Sequence, residues 1–110
     1  MYQKTEIIGN IGTLEAKEVT NTNTGEIREV LNFTVAVNEK YKDSEKTTWY
    51  SCSIWDDYAK AMKGYLAVGK QVFVEGSLST QLYTTSKGQP AVDMRLHVKK
   101  LLLLGKKQED

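Results

Sequence analysis

The sequence predicts an all-β domain with one helix, its five bent strands closed into a Greek-key barrel, and three observations carry that expectation. Apolar side chains recur at period two through most of the chain. Gly9 and Gly12 interrupt the first such run, as a strand that bends sharply requires. One stretch alone has helical spacing: Tyr58, Ala61, Met62 and Tyr65 fall at i, i+3, i+4 and i+7, between the third and fourth β-like segments.

The elements follow in order. Tyr2 to Lys17 reads as the first strand, and Asn21 to Gly25 as a turn whose Asn and Gly tolerate positive φ. Leu31, Phe33, Val35 and Val37 alternate with Asn32, Thr34, Ala36 and Asn38, a half-buried second strand. Glu39 to Thr47 reads as a polar loop, and Thr48 to Trp55 as the third strand. Asp56 and Asp57 mark a helix start, where carboxylates cap free N–H groups and complement the dipole. Gly69 is the expected C-terminal stop. A fourth strand from Gln71 places Val72, Val74, Leu78, Thr80 and Leu82 on one face and Phe73, Glu75, Ser77, Ser79, Gln81 and Tyr83 on the other. Ser86-Lys87-Gly88 is a hairpin turn. The fifth strand turns Val92, Met94, Leu96 and Val98 inward and Asp93, Arg95, His97 and Lys99 outward. Three strands, a helix and two strands fit the OB-fold, with a small open α+β sheet as the alternative.

Bulk properties narrow the function classes. At 110 residues the chain makes one domain, with residues 1–105 expected to form it and 106–110 a short polar end. Charged residues make up 26% and hydrophobic residues 40%, an ordinary soluble composition, and the net charge of +1 carries no large basic excess. The single cysteine, Cys52, excludes an internal disulfide framework and suits a reducing cytoplasm. The longest apolar run, Leu101 to Leu104, is far too short to span a bilayer. Glu6 interrupts the only early apolar stretch, so no signal-like segment opens the chain.

The third strand carries the chemistry. Alternation puts Tyr50, Cys52 and Ile54 on one face and Trp49, Ser51, Ser53 and Trp55 on the other. A core face would not set two serines between its largest side chains, so both indoles are expected in the open. Their spacing is roughly 20 Å at about 3.3 Å per residue. Aromatic side chains held open on a polar sheet face are platforms for stacking bases, worth ~1–3 kcal/mol per base. Burial in a subunit interface is the competing reading, since interfaces also favour tryptophan. Cys52 reads as a small buried hydrophobe. One His and one Cys on separate strands do not make a metal site, and no cofactor fingerprint or catalytic motif occurs.

Four segments in order resemble the bacterial single-stranded DNA-binding proteins. Ile7-Ile8-Gly9-Asn10-Ile11-Gly12 resembles that family's opening strand and its Gly-Asn-apolar-Gly bend. Asn32-Phe33-Thr34-Val35-Ala36-Val37 resembles its second strand, and Thr48-Trp49-Tyr50 its Thr-Glu-Trp-His at the start of the third. Tyr65 to Gly76 resembles its Tyr-Leu-x-x-Gly-x-x-Val-x-x-Glu-Gly signature. Together they run through almost the whole chain.

By motif position the resemblance implies four base-stacking aromatics: Tyr41, Trp49, Trp55 and Tyr83. Parity independently exposes the last three. Tyr41 shares parity with Val35 and Val37, so only a bend after Asn38 would turn it to the same face. Lys4, by its match to a basic family position, and Lys40, Lys42 and Lys99 are the lysines expected nearest a groove that tracks phosphates. The resemblance also implies a homotetramer, with a homodimer as the alternative. Its processes are replication, recombination, repair or conjugative transfer, and no cofactor is implied.

Departures qualify this picture. Several family members carry Arg or Lys where this chain has Ser51, Asp57, Ser79 and Gln81, so a weakly positive groove with shallow salt dependence is expected. Tyr50 stands where many have His at a subunit contact. The family's disordered tail with an acidic, apolar tip is not matched by Lys106 to Asp110, which implies a truncated chain or a plasmid, phage or conjugative origin. A primosome-type adaptor of the same fold is the rival reading, an OB-fold oligomerisation module a third, and a hydrolytic enzyme a distant fourth.

Overall fold

In the computed structural model, residues 1–104 are described. The boundary expected at residue 105 and the polar end 106–110 lie outside the described residues. Five strands, β1 (Thr5–Thr20), β2 (Ile27–Tyr41), β3 (Ser44–Trp55), β4 (Gln71–Thr84) and β5 (Pro90–Leu103), accompany one helix, α1 (Asp56–Met62), between β3 and β4. The strands close into a barrel in the order β1-β2-β3-β5-β4. Closure is made by a short parallel pairing of Ser51–Ser53 with Arg95–His97, the other pairs being antiparallel. That is the barrel the element order predicts, and it removes the open-sheet alternative.

Period two fills the barrel interior. Phe33, Val35, Cys52, Ile54, Val72, Val74, Leu96 and Val98 are all buried there. Two bulges keep apolar residues inward as the strands bend. In β1 the register shifts between Ile11 and Thr13, so the inward set passes from Ile7 and Ile11 to Leu14. In the β4–β5 pair, Glu75 meets Lys100 while Gly76 meets Val98, leaving Lys99 unpaired and turning Leu101 inward. Gly76 is required at that bulge, because a Cβ there would run into the His97 carbonyl.

Several expectations are corrected where strands outrun the barrel. Glu39 to Thr47 is not a loop: β2 and β3 stay paired out to Tyr41 and Ser44. Leu82 and Val92, expected inward, are cross-strand partners left 77% and 51% exposed, and Thr80 is exposed with them. Their parity is right, but this part of the β4–β5 hairpin extends past the barrel and meets no opposing layer.

The helix is shorter than its spacing suggests. It ends at Met62, and Ala61 and Tyr65 are exposed, while Ala59, Met62 and Leu66 with Tyr58 make the packed stripe. The Tyr58 hydroxyl accepts a 2.7 Å bond from the Leu101 N–H, pinning α1 to β5. Gly69, at φ +91°, closes the following loop rather than the helix itself, its N–H bonding the Ile11 carbonyl at 2.8 Å. Asp56 and Asp57 do lie in the first turn, but no side chain caps it. The Asp56 carboxylate is engaged by Arg28 instead.

Candidate nucleic-acid interface

The outer face of β2 and β3 is a row of register partners: Ala36 beside Trp49, Thr34 beside Ser51, Asn32 beside Ser53 and Val30 beside Trp55. Small polar side chains between the indoles leave a hollow. It forms an open cleft of about 610 Å³ that reaches across β1, β2, β3, β5 and β4. Its floor is already hydrogen-bonded to itself. Ser53 Oγ donates to Asn32 Oδ1 at 2.7 Å, and the Thr13 and Thr34 hydroxyls share a 2.9 Å bond. The floor is therefore pre-formed and shallow, suited to a flat ligand laid across it.

The two indoles differ. Trp49 is 54% exposed, and its ring lies over Gly12, where any Cβ would collide with it. The β1 glycine thus gives the indole a flat seat and leaves its outer face to solvent. Trp55, expected equally open, is half-buried and clearly less exposed than Trp49. The Arg28 guanidinium sits 4.6 Å from its ring centroid, a cation–π contact. Arg28 is held in turn by Asp56, with Nη2 to Oδ2 at 2.8 Å and Nε to Oδ2 at 3.2 Å. This hydrogen bond holds the Asp56 carboxyl below its ordinary range and raises Arg28 above its own.

Tyr83 is 51% exposed on the outer parity of β4 and adjoins a second hollow shared with Gln81, Asp93 and Arg95. Asp93 and Arg95 also line the main cleft, so Tyr83 is continuous with it. Tyr41 is exposed at the tip of the β2–β3 hairpin. No bulge interrupts β2 after Asn38, so its parity stays that of Val35 and Val37, opposite to Trp49. Its hydroxyl donates to Glu39 at 2.9 Å, and that carboxylate pushes its pKa up.

The lysines fall in separate places. Lys40 and Lys42 flank Tyr41 at the hairpin tip, bordering a hollow of their own. Lys99 is the bulged residue of β5, exposed just beyond His97 of the cleft wall. Lys4 is paired with Glu75 at 3.2 Å, beside β4 rather than in the cleft. The structure therefore joins Trp49, Trp55 and Tyr83 along one surface and leaves Tyr41, Lys40 and Lys42 on a projecting arm.

Three contributors escape a strand-by-strand reading. Arg28 precedes the alternating part of β2 and meets Trp55 only through the β2–β3 register. Asn32 reads as ordinary outward polarity, as does Arg95. A local signal exists for Arg95 alone, in the i, i+2 spacing with Asp93, which it bonds at 2.7 Å. Cleft charge is mixed, with Glu15 and Asp93 standing against Arg95, so the lining itself is net negative rather than the weakly positive groove expected. Behind the floor Cys52 is buried, and burial pushes its thiol up to about 12.

A closed five-stranded barrel in this strand order, with its helix between β3 and β4 and a polar cleft bounded by aromatics, is an OB-fold of the oligonucleotide-groove type. The chain belongs to the Single-strand binding protein family, whose sequence profile matches residues 2–104. It is 32% identical over 109 residues to a protein of Onion yellows phytoplasma named single-stranded DNA-binding protein, covering 99% of this chain and 100% of that one. It is 33% identical to single-stranded DNA-binding protein 1 of Chlorobaculum tepidum over 76% of this chain, but spans only 52% of that relative's length. Among solved structures, a Plasmodium falciparum SSB complex with ssDNA aligns at a TM-score of 0.70 with 27% identity, over 96% of both chains. The small single-stranded DNA-binding protein of Streptomyces coelicolor aligns at 0.72 with 22% identity, over 92% of this chain and 93% of that one, a likeness of fold. Among the described residues, no helix is long and apolar enough to cross a membrane, and no group of three or more His, Cys, Asp or Glu is placed to hold a metal.

Proposed function

We propose that this chain binds single-stranded DNA with little regard to sequence, stacking bases on Trp49, Trp55 and Tyr83. The observation that carries this is the cleft itself: a self-bonded floor of Ser, Thr and Asn lined by Trp55, with Trp49 on the same strand face, Tyr83 in the adjoining hollow, and mixed charge along its walls. Every base has a π-face, so such platforms accept any sequence. A duplex is refused because its bases are already stacked on one another. Family membership and the ssDNA-bound structural neighbour support the same reading. The work is binding and protection of exposed strands during replication, recombination, repair or conjugative transfer, in a bacterial cytoplasm, and no catalytic step is invoked.

Lys40 and Lys42, with Tyr41 between them, extend the path along the projecting hairpin, where phosphates pass and Tyr41 offers a ring on the hairpin's other face. Lys99 contacts phosphate from the β5 bulge. Lys4 contributes only if a strand draws it from Glu75. Self-association, as a homotetramer or homodimer, uses a different surface. Ile8, Phe73 and Leu102 are register neighbours across β1, β4 and β5, forming an apolar row on the outside of the barrel.

The test is intrinsic tryptophan fluorescence during titration with oligo(dT), at low and at moderate salt. The chain has two tryptophans, and stacking at both should quench most of the signal in a saturable way that largely survives salt. A flat titration with folded protein would sink the reading.

A further inference from the structure

Arginine is the side chain best shaped for phosphate, its planar fork matching two oxygens at once. Only two arginines occur in the chain, Arg28 and Arg95. Both lie on the cleft face, Arg95 in the wall and Arg28 over Trp55. Neither is free. Arg28 is bonded by both oxygens of Asp56, at 2.8 to 3.3 Å. Arg95 Nε is bonded by Asp93 Oδ2 at 2.7 Å, and Asp93 Oδ1 accepts from Ser51 Oγ at 3.3 Å.

Resting on the single-strand-binding reading, the geometry points to Asp56 and Asp93 as built-in competitors for the phosphates of a bound strand, each holding a cleft arginine until a phosphate takes its place. A carboxylate offers the guanidinium the same pair of oxygens that a phosphate does. Both pairs are open to solvent, with side-chain exposures of 46% and 48% for Arg28 and Asp56, and 58% and 28% for Arg95 and Asp93. Exposed pairs hold weakly, so exchange is cheap and reversible. The exchange also changes the ionic balance. A phosphate neutralised by arginine releases a counterion, but the aspartate left behind is an uncompensated negative charge beside the strand, which favours retention of cations there. Net ion release then falls, and so does the dependence of binding on salt.

A double-mutant cycle at each pair tests this, with binding of labelled oligo(dT) read by fluorescence anisotropy. If the arginine leaves its aspartate for phosphate, its worth to binding is reduced by the pair it must break. Arg95→Ala then weakens binding more in an Asp93→Asn background than in wild type, by up to about fivefold, the most an exposed ion pair is worth. Asp93→Asn also steepens the slope of log K against log salt by about 0.7. Arg28→Ala with Asp56→Asn behaves likewise, and Asn tolerates the positive φ of 54° at residue 56. Equal losses in both backgrounds, with an unchanged salt slope, overturn the inference. Saturable wild-type binding with additive cycles sinks this inference alone, whereas wild type that ignores oligo(dT) sinks the single-strand reading and this one with it.

Discussion

Trp49 and Trp55 lie on one face of one strand, yet their settings are opposite. Trp49 rests on a glycine and shows its outer face to solvent, while Trp55 lies half covered by an arginine that an aspartate holds. The first is a platform ready before any ligand arrives. The second is joined to the protein's own electrostatics, so a base stacking there must share or displace Arg28. Identical residues at identical parity thus divide the work, one supplying open surface and the other surface under local control.

Removing the open platform should have the largest effect. Trp49→Ala is expected to raise the Kd for oligo(dT) roughly five- to 150-fold, the equivalent of one lost base stack. Stability in urea should fall by no more than about 1 kcal/mol, because the ring loses its seat on Gly12 while its outer face is already in solvent. A large fall in the urea midpoint would show the indole to be structural instead. Trp55→Ala should weaken binding too, but with a stability loss of roughly 1–2 kcal/mol from lost packing and the lost cation–π contact. Paired urea and binding curves on the two variants therefore separate the two ends of the face.

Gly12→Ala attacks the seat rather than the indole. A Cβ there meets the Trp49 ring, a side chain that can swing aside, so the fold should survive while the platform tilts. Binding should weaken by less than in Trp49→Ala, and an unchanged affinity would mean that the seat is irrelevant. A spectroscopic contrast is smaller still. With Trp55→Phe the remaining Trp49 should emit further to the red and be quenched more by acrylamide than Trp55 is in Trp49→Phe. Arg28→Ala, added to Trp49→Phe, should narrow that gap by uncovering Trp55.

The effect furthest from binding lies behind the face, at Cys52, and, as a loss of stability, is absent at neutral pH. Its folded pKa is raised from 9.0 to about 12 by burial. The sign follows directly: the unfolded thiol ionises first, so this contribution is whole below pH 9 and is lost as pH rises toward 12. Wild type should lose stability over that window faster than Cys52→Ala, measured by urea midpoints at several pH values. Parallel curves for the two proteins would remove Cys52 from the account.

Much of this was legible residue by residue. Alternation in Leu31 to Val37 and Tyr50 to Ile54 named the core and exposed the serine-separated indoles, because side-chain direction in a strand depends on the backbone alone. Burial was legible only where a strand faces an opposing layer. Leu82 and Val92 follow the inward alternation of Leu78 and Leu96, yet stand in solvent because their hairpin outruns the barrel. The stripe in α1 differs for a similar reason, Ala59 and Leu66 rather than Ala61 and Tyr65 meeting the core where Tyr58 bonds Leu101. Tyr41 matches a stacking position by motif, but the unbroken register to Ser44 keeps it on the other parity.

By itself, then, the sequence determined strand order, the inward stripe, the position of the helix and the polar face bearing Trp49, Trp55 and Tyr83. Those depend on periodicity and on turn residues, which act over a few neighbours. Tertiary structure alone decided what covers each ring. Val30 pairs with Trp55 and so brings Arg28 over the indole and within reach of Asp56, and the β1 bulge brings Gly12 beneath Trp49. Contacts between residues more than twenty positions apart depend on register, and register is set by closing the whole barrel.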